Sequence, residues 1–136
     1  MTDENHFRGN VTQKGVVFGP QNDVLLVRQG NEFPWVFPGG RVQTGEDADG
    51  ALRRELREEI GLEVTVGQPV HALTGVWYTE DGEPMFTVIY RCETDAREVT
   101  LNHEHEQWQW VDPEWAIAEL ELDSLGQAVE RALAAD

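Results

Sequence analysis

The sequence predicts an α/β fold in which one β-sheet is covered by helices on both faces. Three observations predict it. Short apolar or alternating runs, bounded by turn residues, recur along the 136 residues. Two further stretches carry the 3.6-residue apolar spacing of helices instead. The hydrophobic content, 40%, is enough for a core, and the length fits a single domain over residues 1–136.

Taken in order, Val11 to Phe18 reads as a strand and Asp23 to Gln29 as a second, with the turn signal Pro20-Gln-Asn-Asp between them. Phe33 to Gly40 mixes aromatics, two prolines and a glycine pair, which predicts a short strand running into a turn. Glu46 to Ile60 reads as a helix, with Thr44 as its expected N-cap, Asp47 three residues on as in a capping box, and Gly61 as a left-handed C-cap. Gly50 inside it costs about 1 kcal/mol relative to alanine. Strands are expected at Glu63 to Val66, Val70 to Tyr78 and Met85 to Glu93. The turn Glu80-Asp-Gly-Glu makes the last two a hairpin. Gln107 to Val111 is another short strand, and Asp112-Pro113 starts a short helix. Leu125, Ala128, Val129, Ala132 and Leu133 fall on one side of a terminal amphipathic helix.

The formal net charge is −16. That argues against a duplex-binding protein, whose affinity rests on cationic contacts to phosphate. Lys14 is the single lysine beside nine arginines. Such a surface resembles proteins from salt-loving organisms, where salt screens self-repulsion; an ordinary acidic protein is the alternative. Cys92 is the sole cysteine, so an internal disulfide is ruled out, and its apolar surroundings predict a small buried hydrophobe. No apolar stretch reaches membrane-spanning length, and Met1 to Asn10 lacks a signal-peptide core. The expected location is the cytoplasm, with no membrane partner.

The helix over Glu46 to Ile60 has three lanes. Leu52, Leu56 and Ile60 form an apolar stripe, Arg53 and Arg57 a solvent lane, and Glu55, Glu58 and Glu59 an acid lane within about a 100° arc. The acid lane opposes helix stability. Glu55 and Glu59 are a like-charge i,i+4 pair, unfavourable by a few tenths of a kcal/mol. Glu58 and Glu59 also sit at the end where the helix dipole disfavours anions. Arg54 can pair with Glu58 and offset part of this. A solvated acidic face and a divalent-cation site are the two resolutions, and clustered carboxylate oxygens suit Mg²⁺.

The surrounding pattern separates them. Gly40, five residues, Glu46, seven residues, Arg54-Glu55-Leu56, one residue, Glu58-Glu59, one residue, Gly61-Leu62 matches the Nudix box at all nine specified positions, seven by identity. The approach Trp35-Val-Phe-Pro-Gly-Gly-Arg41 is similar to the family's usual lead-in. On these residues the chain resembles the Nudix hydrolase family. The resemblance implies an α/β/α sandwich on a mixed sheet and a Mg²⁺-dependent (or Mn²⁺-dependent) hydrolase that cleaves the pyrophosphate bond of a nucleoside-diphosphate-type substrate.

By that resemblance Glu55, Glu58 and Glu59 are carboxylate ligands, with the Gly39 carbonyl as a further one. Gly40, Glu46 and Arg54 are structural support. One carboxylate takes the proton from the attacking water; Glu55 is the first candidate and an acid from a later loop the second. The segment His103-Glu-His-Glu-Gln-Trp-Gln-Trp-Val111 resembles a Glu-His…Trp segment of several members, which makes Glu104 a catalytic and metal-binding candidate with Glu106 as its alternative. His103 and His105 are expected at the substrate side or in solvent. Arg28 and Arg41 can meet substrate phosphates. Trp35, Phe37, Trp77 and Tyr78 can stack a base or pack in the core; Trp35 and Tyr78 join the two arginines as the substrate-binding set. Trp108 and Trp110 share one strand face.

Three substrates stay open: a nucleoside triphosphate, an ADP-ribose or nucleotide sugar, and a dinucleoside polyphosphate. Tyr78, sixteen residues after the box, and Glu104-His105 resemble the third group, whereas Pro38-Gly-Gly departs from it. Trp77 stands where ADP-ribose enzymes often have proline. A catalytically inactive nucleotide-binding or regulatory module on this fold is the alternative from another class, and the intact Glu55, Glu58, Glu59 set speaks against it. A homodimer is carried as an open option.

Overall fold

The structure, a computed structural model, describes residues 5–103 and 105–135. Its strands are β1 (Asn10–Phe18), β2 (Val24–Arg28), β3 (Gly39–Arg41), β4 (Thr65–Tyr78), β5 (Pro84–Glu93) and β6 (Gln107–Val111); its helices are α1 (Ala48–Ile60), α2 (Pro113–Glu119) and α3 (Asp123–Ala134). The sheet runs β4-β5-β1-β2-β6, and β3 pairs with β1 off that path. The β1–β5 pair is parallel and the others antiparallel, so the sheet is mixed.

β1 divides one edge between two partners. Its Thr12 to Lys14 pair with Arg41 to Gly39, while its last residue, Phe18, pairs with Val24 of β2. β3 therefore enters the sheet at the point where β2 diverges from β1, and it delivers the chain directly to α1.

Each face carries its own core, as the alternation along strands requires. Val17, Leu25, Val27 and Cys92 meet Leu52, Leu56 and Ile60 of α1. Val16, Phe18, Leu26 and Ile89 meet α2 and α3 through Ala116, Leu125, Ala128 and Val129. This is the three-layer arrangement that the periodicities predict. Cys92 is buried as expected, and burial pushes its thiol up to about 12.

Four local expectations change. The N-cap of α1 is Asp47, not Thr44: its carboxylate accepts the Gly50 N–H at 2.6 Å. Gly50 thus lies in the first turn, where a Cβ would sit 2.8 Å from that carboxylate. Phe33 to Gly40 gives only the isolated bridge Val27–Val36 before β3, because Pro34 and Pro38 have no N–H to offer a ladder. The two strands expected at Glu63 to Val66 and Val70 to Tyr78 are one long edge strand, β4, with register shifts either side of Pro69. An edge tolerates the proline and the bulges. Leu133 is 40% exposed and does not join the α3 stripe.

α3 is pinned to β4 by a histidine. Arg131 donates its Nη1 to Val70 O at 3.5 Å and meets His71 Nδ1 at 2.6 Å. Accepting from a guanidinium requires Nδ1 to be bare, which places the ring proton on Nε2, a buried atom with no hydrogen-bond partner. Burial, then the Arg131 charge, lowers the His71 pKa below 6.5.

Two outcomes follow from this packing. Leu56→Ala should cost roughly 2–5 kcal/mol in urea unfolding through the cavity it leaves under α1. For His71, the unfolded chain binds a proton near pH 6.5 while the folded one resists it, so its contribution is intact above that pH and is lost as pH falls through the lowered folded value. The stability difference between the chain and His71→Gln should therefore shift against the histidine between about pH 7.5 and about pH 5, read from urea midpoints.

Candidate active site

β3 and the first turns of α1 are joined through one side chain. Arg54 donates Nε to Glu46 Oε2 at 2.5 Å and Nη2 to Glu46 Oε1 at 3.0 Å, a two-pronged grip. Its Nη2 also reaches the Arg41 carbonyl at 3.4 Å. Its Nη1 donates to Glu55 Oε1 and to Glu58 Oε1, each at 3.1 Å. Glu46 accepts the Gln43 N–H at 2.8 Å as well. The Arg54 hydrogen bond, then the Gln43 N–H, hold the Glu46 carboxyl below its usual range, and Glu46 in turn raises the Arg54 pKa. The bracing role expected of Glu46 and Arg54 thus has a concrete geometry.

The glycine pair is set by close approach. Gly39 has φ +156°, and a Cβ on it would run into the Gln13 carbonyl and the Lys14 backbone of β1. A Cβ on Gly40 would overlap the Glu55 carboxylate. Backbone and carboxylate can meet only because position 40 is glycine.

The three acids of the predicted ligand set are not equivalent. Glu55 is half-buried and Glu58 exposed, and Arg54 lies between them. Glu59 is 1% exposed, with His105 Nδ1 3.3 Å from its Oε1. Thr100 and Asn102 lie against the end of α1, their N–H groups donating to the Ile60 and Glu59 carbonyls at 3.1 Å. His105, expected at the substrate side or in solvent, is largely buried against Glu59. Among the described residues no three carboxylate, imidazole or thiol side chains converge closely enough to enclose an ion. Glu104 lies outside the described residues.

The donor chemistry nevertheless fits a hard divalent cation. The available ligands are carboxylate and carbonyl oxygens. Glu55 and Glu58 already share one positive group, and Gly40 leaves room for the Glu55 carboxylate against the backbone.

Of the substrate-binding candidates, the structure brings two together. The Arg28 guanidinium lies 4.3 Å over the Trp35 ring, beside a hollow of about 280 Å³ that both residues line. Arg41 is exposed at the end of β3, next to the Arg54 network. Tyr78, 56% exposed, closes β4 opposite Pro84; among the described residues it makes no hydrogen bond or ring contact with the other candidates. Trp110 donates to the Arg97 carbonyl at 3.1 Å and packs on the α1 side of the sheet, while Trp108 is 41% exposed. A larger hollow of about 400 Å³, bounded by Glu63, Glu93 and Asp95, has no cation on its walls and does not suit a polyphosphate.

Asn31 and Gln107 were missed from sequence. Both amides contact Arg28, and the signal was the β2–β6 pairing that sets Arg28 opposite Gln107.

The family model described as NUDIX domain matches residues 11–132. The nucleoside triphosphatase NudI of Escherichia fergusonii is 34% identical over 109 residues, covering 69% of this chain and 77% of that protein. Among solved structures, the MutT protein from Methanosarcina mazei Go1 superposes with a TM-score of 0.79 at 18% identity, covering 96% of each chain. A C. elegans Ap4A hydrolase binary complex gives 0.75 at 23% identity, covering 92% of this chain and 96% of that one. At those identities the two structures speak for the fold alone.

Proposed function

Because the chain belongs to the NUDIX family and is a pyrophosphohydrolase, we propose that it hydrolyses a nucleoside triphosphate by attack of water at phosphorus, with Mg²⁺ held by Glu55, Glu58 and Glu59. The single observation that carries this reading is that Glu55 and Glu58 share one cationic group at 3.1 Å beside the Gly39–Gly40 backbone. Triphosphates are preferred over the other nucleoside-diphosphate derivatives because the relative with 34% identity is named a nucleoside triphosphatase.

In this reading the Gly39 carbonyl joins the carboxylates. When bound, the cation supplies positive charge against the diphosphate oxygens and the leaving phosphate. Glu55 takes the proton from the attacking water onto its carboxylate, being half-buried and fixed by Arg54. Glu104 is the second candidate for that proton. Glu46 and Arg54 keep the start of α1 against β3, so the acids hold their spacing while substrate charge comes and goes. Arg41 meets a substrate phosphate, and the hollow at Arg28 and Trp35 takes the nucleoside.

The test is a panel of deoxynucleoside triphosphates, 8-oxo-dGTP, ADP-ribose, a dinucleoside tetraphosphate and a sugar nucleotide, with Mg²⁺ and with chelator, read by product mass. Triphosphates should give the highest kcat/KM, and chelator should abolish turnover. Turnover that survives chelation, or silence across the panel, would sink the reading. Glu58→Gln and Glu59→Gln should each lower kcat by about 10²–10³-fold. Glu58→Gln should leave the melting temperature nearly unchanged because that side chain is exposed.

A further inference from the structure

The hollow beside β2 has walls of opposite hydrogen-bonding character. On one side, Arg28 Nε donates to Gln107 Oε1 at 2.5 Å and Arg28 Nη2 to Asn31 Oδ1 at 3.2 Å. Gln107 Nε2 then donates to the same Asn31 oxygen at 2.6 Å. The ring of contacts is closed, and it fixes both amides: the Gln107 oxygen accepts from Arg28, and the Asn31 oxygen accepts from both Arg28 and Gln107. It also holds the guanidinium over Trp35, at 4.3 Å from the ring centre. On the other side, where α2 gives way to α3, stand Glu119 and Glu121, which can only accept when ionised. Glu32, Phe33 and Pro34 line the same space, Glu32 as a third carboxylate.

The side-on edge of a guanidinium, Nε with Nη2, is one of its two ways to grip a phosphate. In Arg28 that edge is engaged by two amide oxygens. Those two amides leave the end-on edge and the face of the guanidinium to a ligand, and a guanidinium set over an indole suits an aromatic ring. The carboxylates lining the hollow disfavour a phosphate on either edge of Arg28, and favour a ring that turns an exocyclic amino group, not a carbonyl, toward them.

We infer that Arg28 is a stacking platform for the nucleobase, that Asn31 and Gln107 are positioning residues for it, and that Glu119 and Glu121 select bases carrying an exocyclic amino group. This rests on the nucleotide reading above and narrows it to amino-bearing bases over oxo-only ones. Cytosine and uracil are the cleanest pair, since they share a ring size and differ on one edge only: a 4-amino group beside a bare N3 in cytosine, a 4-oxo group beside an N3–H in uracil.

The experiment is calorimetric binding of CMP and UMP, with inorganic pyrophosphate as the base-free probe. The full chain is compared with Arg28→Lys, Gln107→Leu and the double variant Glu119→Gln/Glu121→Gln. CMP should bind roughly three- to tenfold more tightly than UMP, a modest ratio because both glutamates are exposed. The double variant should erase the ratio. Arg28→Lys keeps the charge but loses the plane, so it should weaken both nucleotides by on the order of tenfold and leave pyrophosphate unaffected; Gln107→Leu should follow it in the same direction. Equal binding of CMP and UMP, or an Arg28→Lys variant that weakens pyrophosphate as much as CMP, would overturn the inference and make Arg28 a phosphate ligand. Turnover with no CMP preference leaves the hydrolase standing and removes the base platform. A CMP preference without turnover of any panel member does the reverse.

Discussion

One guanidinium holds the candidate active site of this molecule together. Arg54 joins three stretches of chain that sequence separates: the end of β3 through the Arg41 carbonyl, the loop through Glu46, and α1 through Glu55 and Glu58. Each of these contacts is between opposite charges or to a carbonyl dipole, and the side chain is only 20% exposed, so solvent screens them less than surface pairs. Remove this cation and a short strand, a tight loop and an acid-bearing helix lose their common reference point. The like-charge cost of the acid lane, which looked like a defect of the helix, is offset locally by the same group.

That matters more in a chain of net charge −16 than it would elsewhere. Such a surface repels the polyanion it is proposed to cleave, and screening by salt is only partial within a Debye length of about 8–10 Å. Several arginines are committed to structure: Arg53 to Asp49, Arg57 to Glu63, Arg97 to Asp23 and Arg131 to His71. Arg28 is engaged by Gln107, Asn31 and Trp35 at the rim of the hollow, and Arg41 stands exposed at the end of β3.

Much of the architecture was legible in the sequence because its signals are local. The apolar stripe of α1, its Gly61 cap with φ +71°, the proline-started α2 and the alternation of β1 each depend on residues a few positions apart. The family pattern added the mixed sheet and the glutamate set. What was not legible depends on chain segments meeting from afar. Nothing near Glu59 announces that Asn102 and His105 will lie against it, so the three acids looked alike. Asp47 displaced Thr44 as the cap because Glu46 is held back by Arg54, a contact eight residues long that moves the helix start. The two short strands around Pro69 fused because β4 lies at the sheet edge, a fact of topology. The partner that Arg28 finds on β6, Gln107, was equally out of view.

The hollow is built from residues 28–35 and from the turn between α2 and α3, whereas the acids and glycines belong to residues 39–59. The two sets share no residue, and β1 with its divided edge stands behind both. On the reading proposed above, substitutions in the stretch after β2 would redraw which molecules are admitted without touching the acids proposed to hold the cation. Recognition and reactivity would then be separable by mutation, each answering to its own stretch of chain.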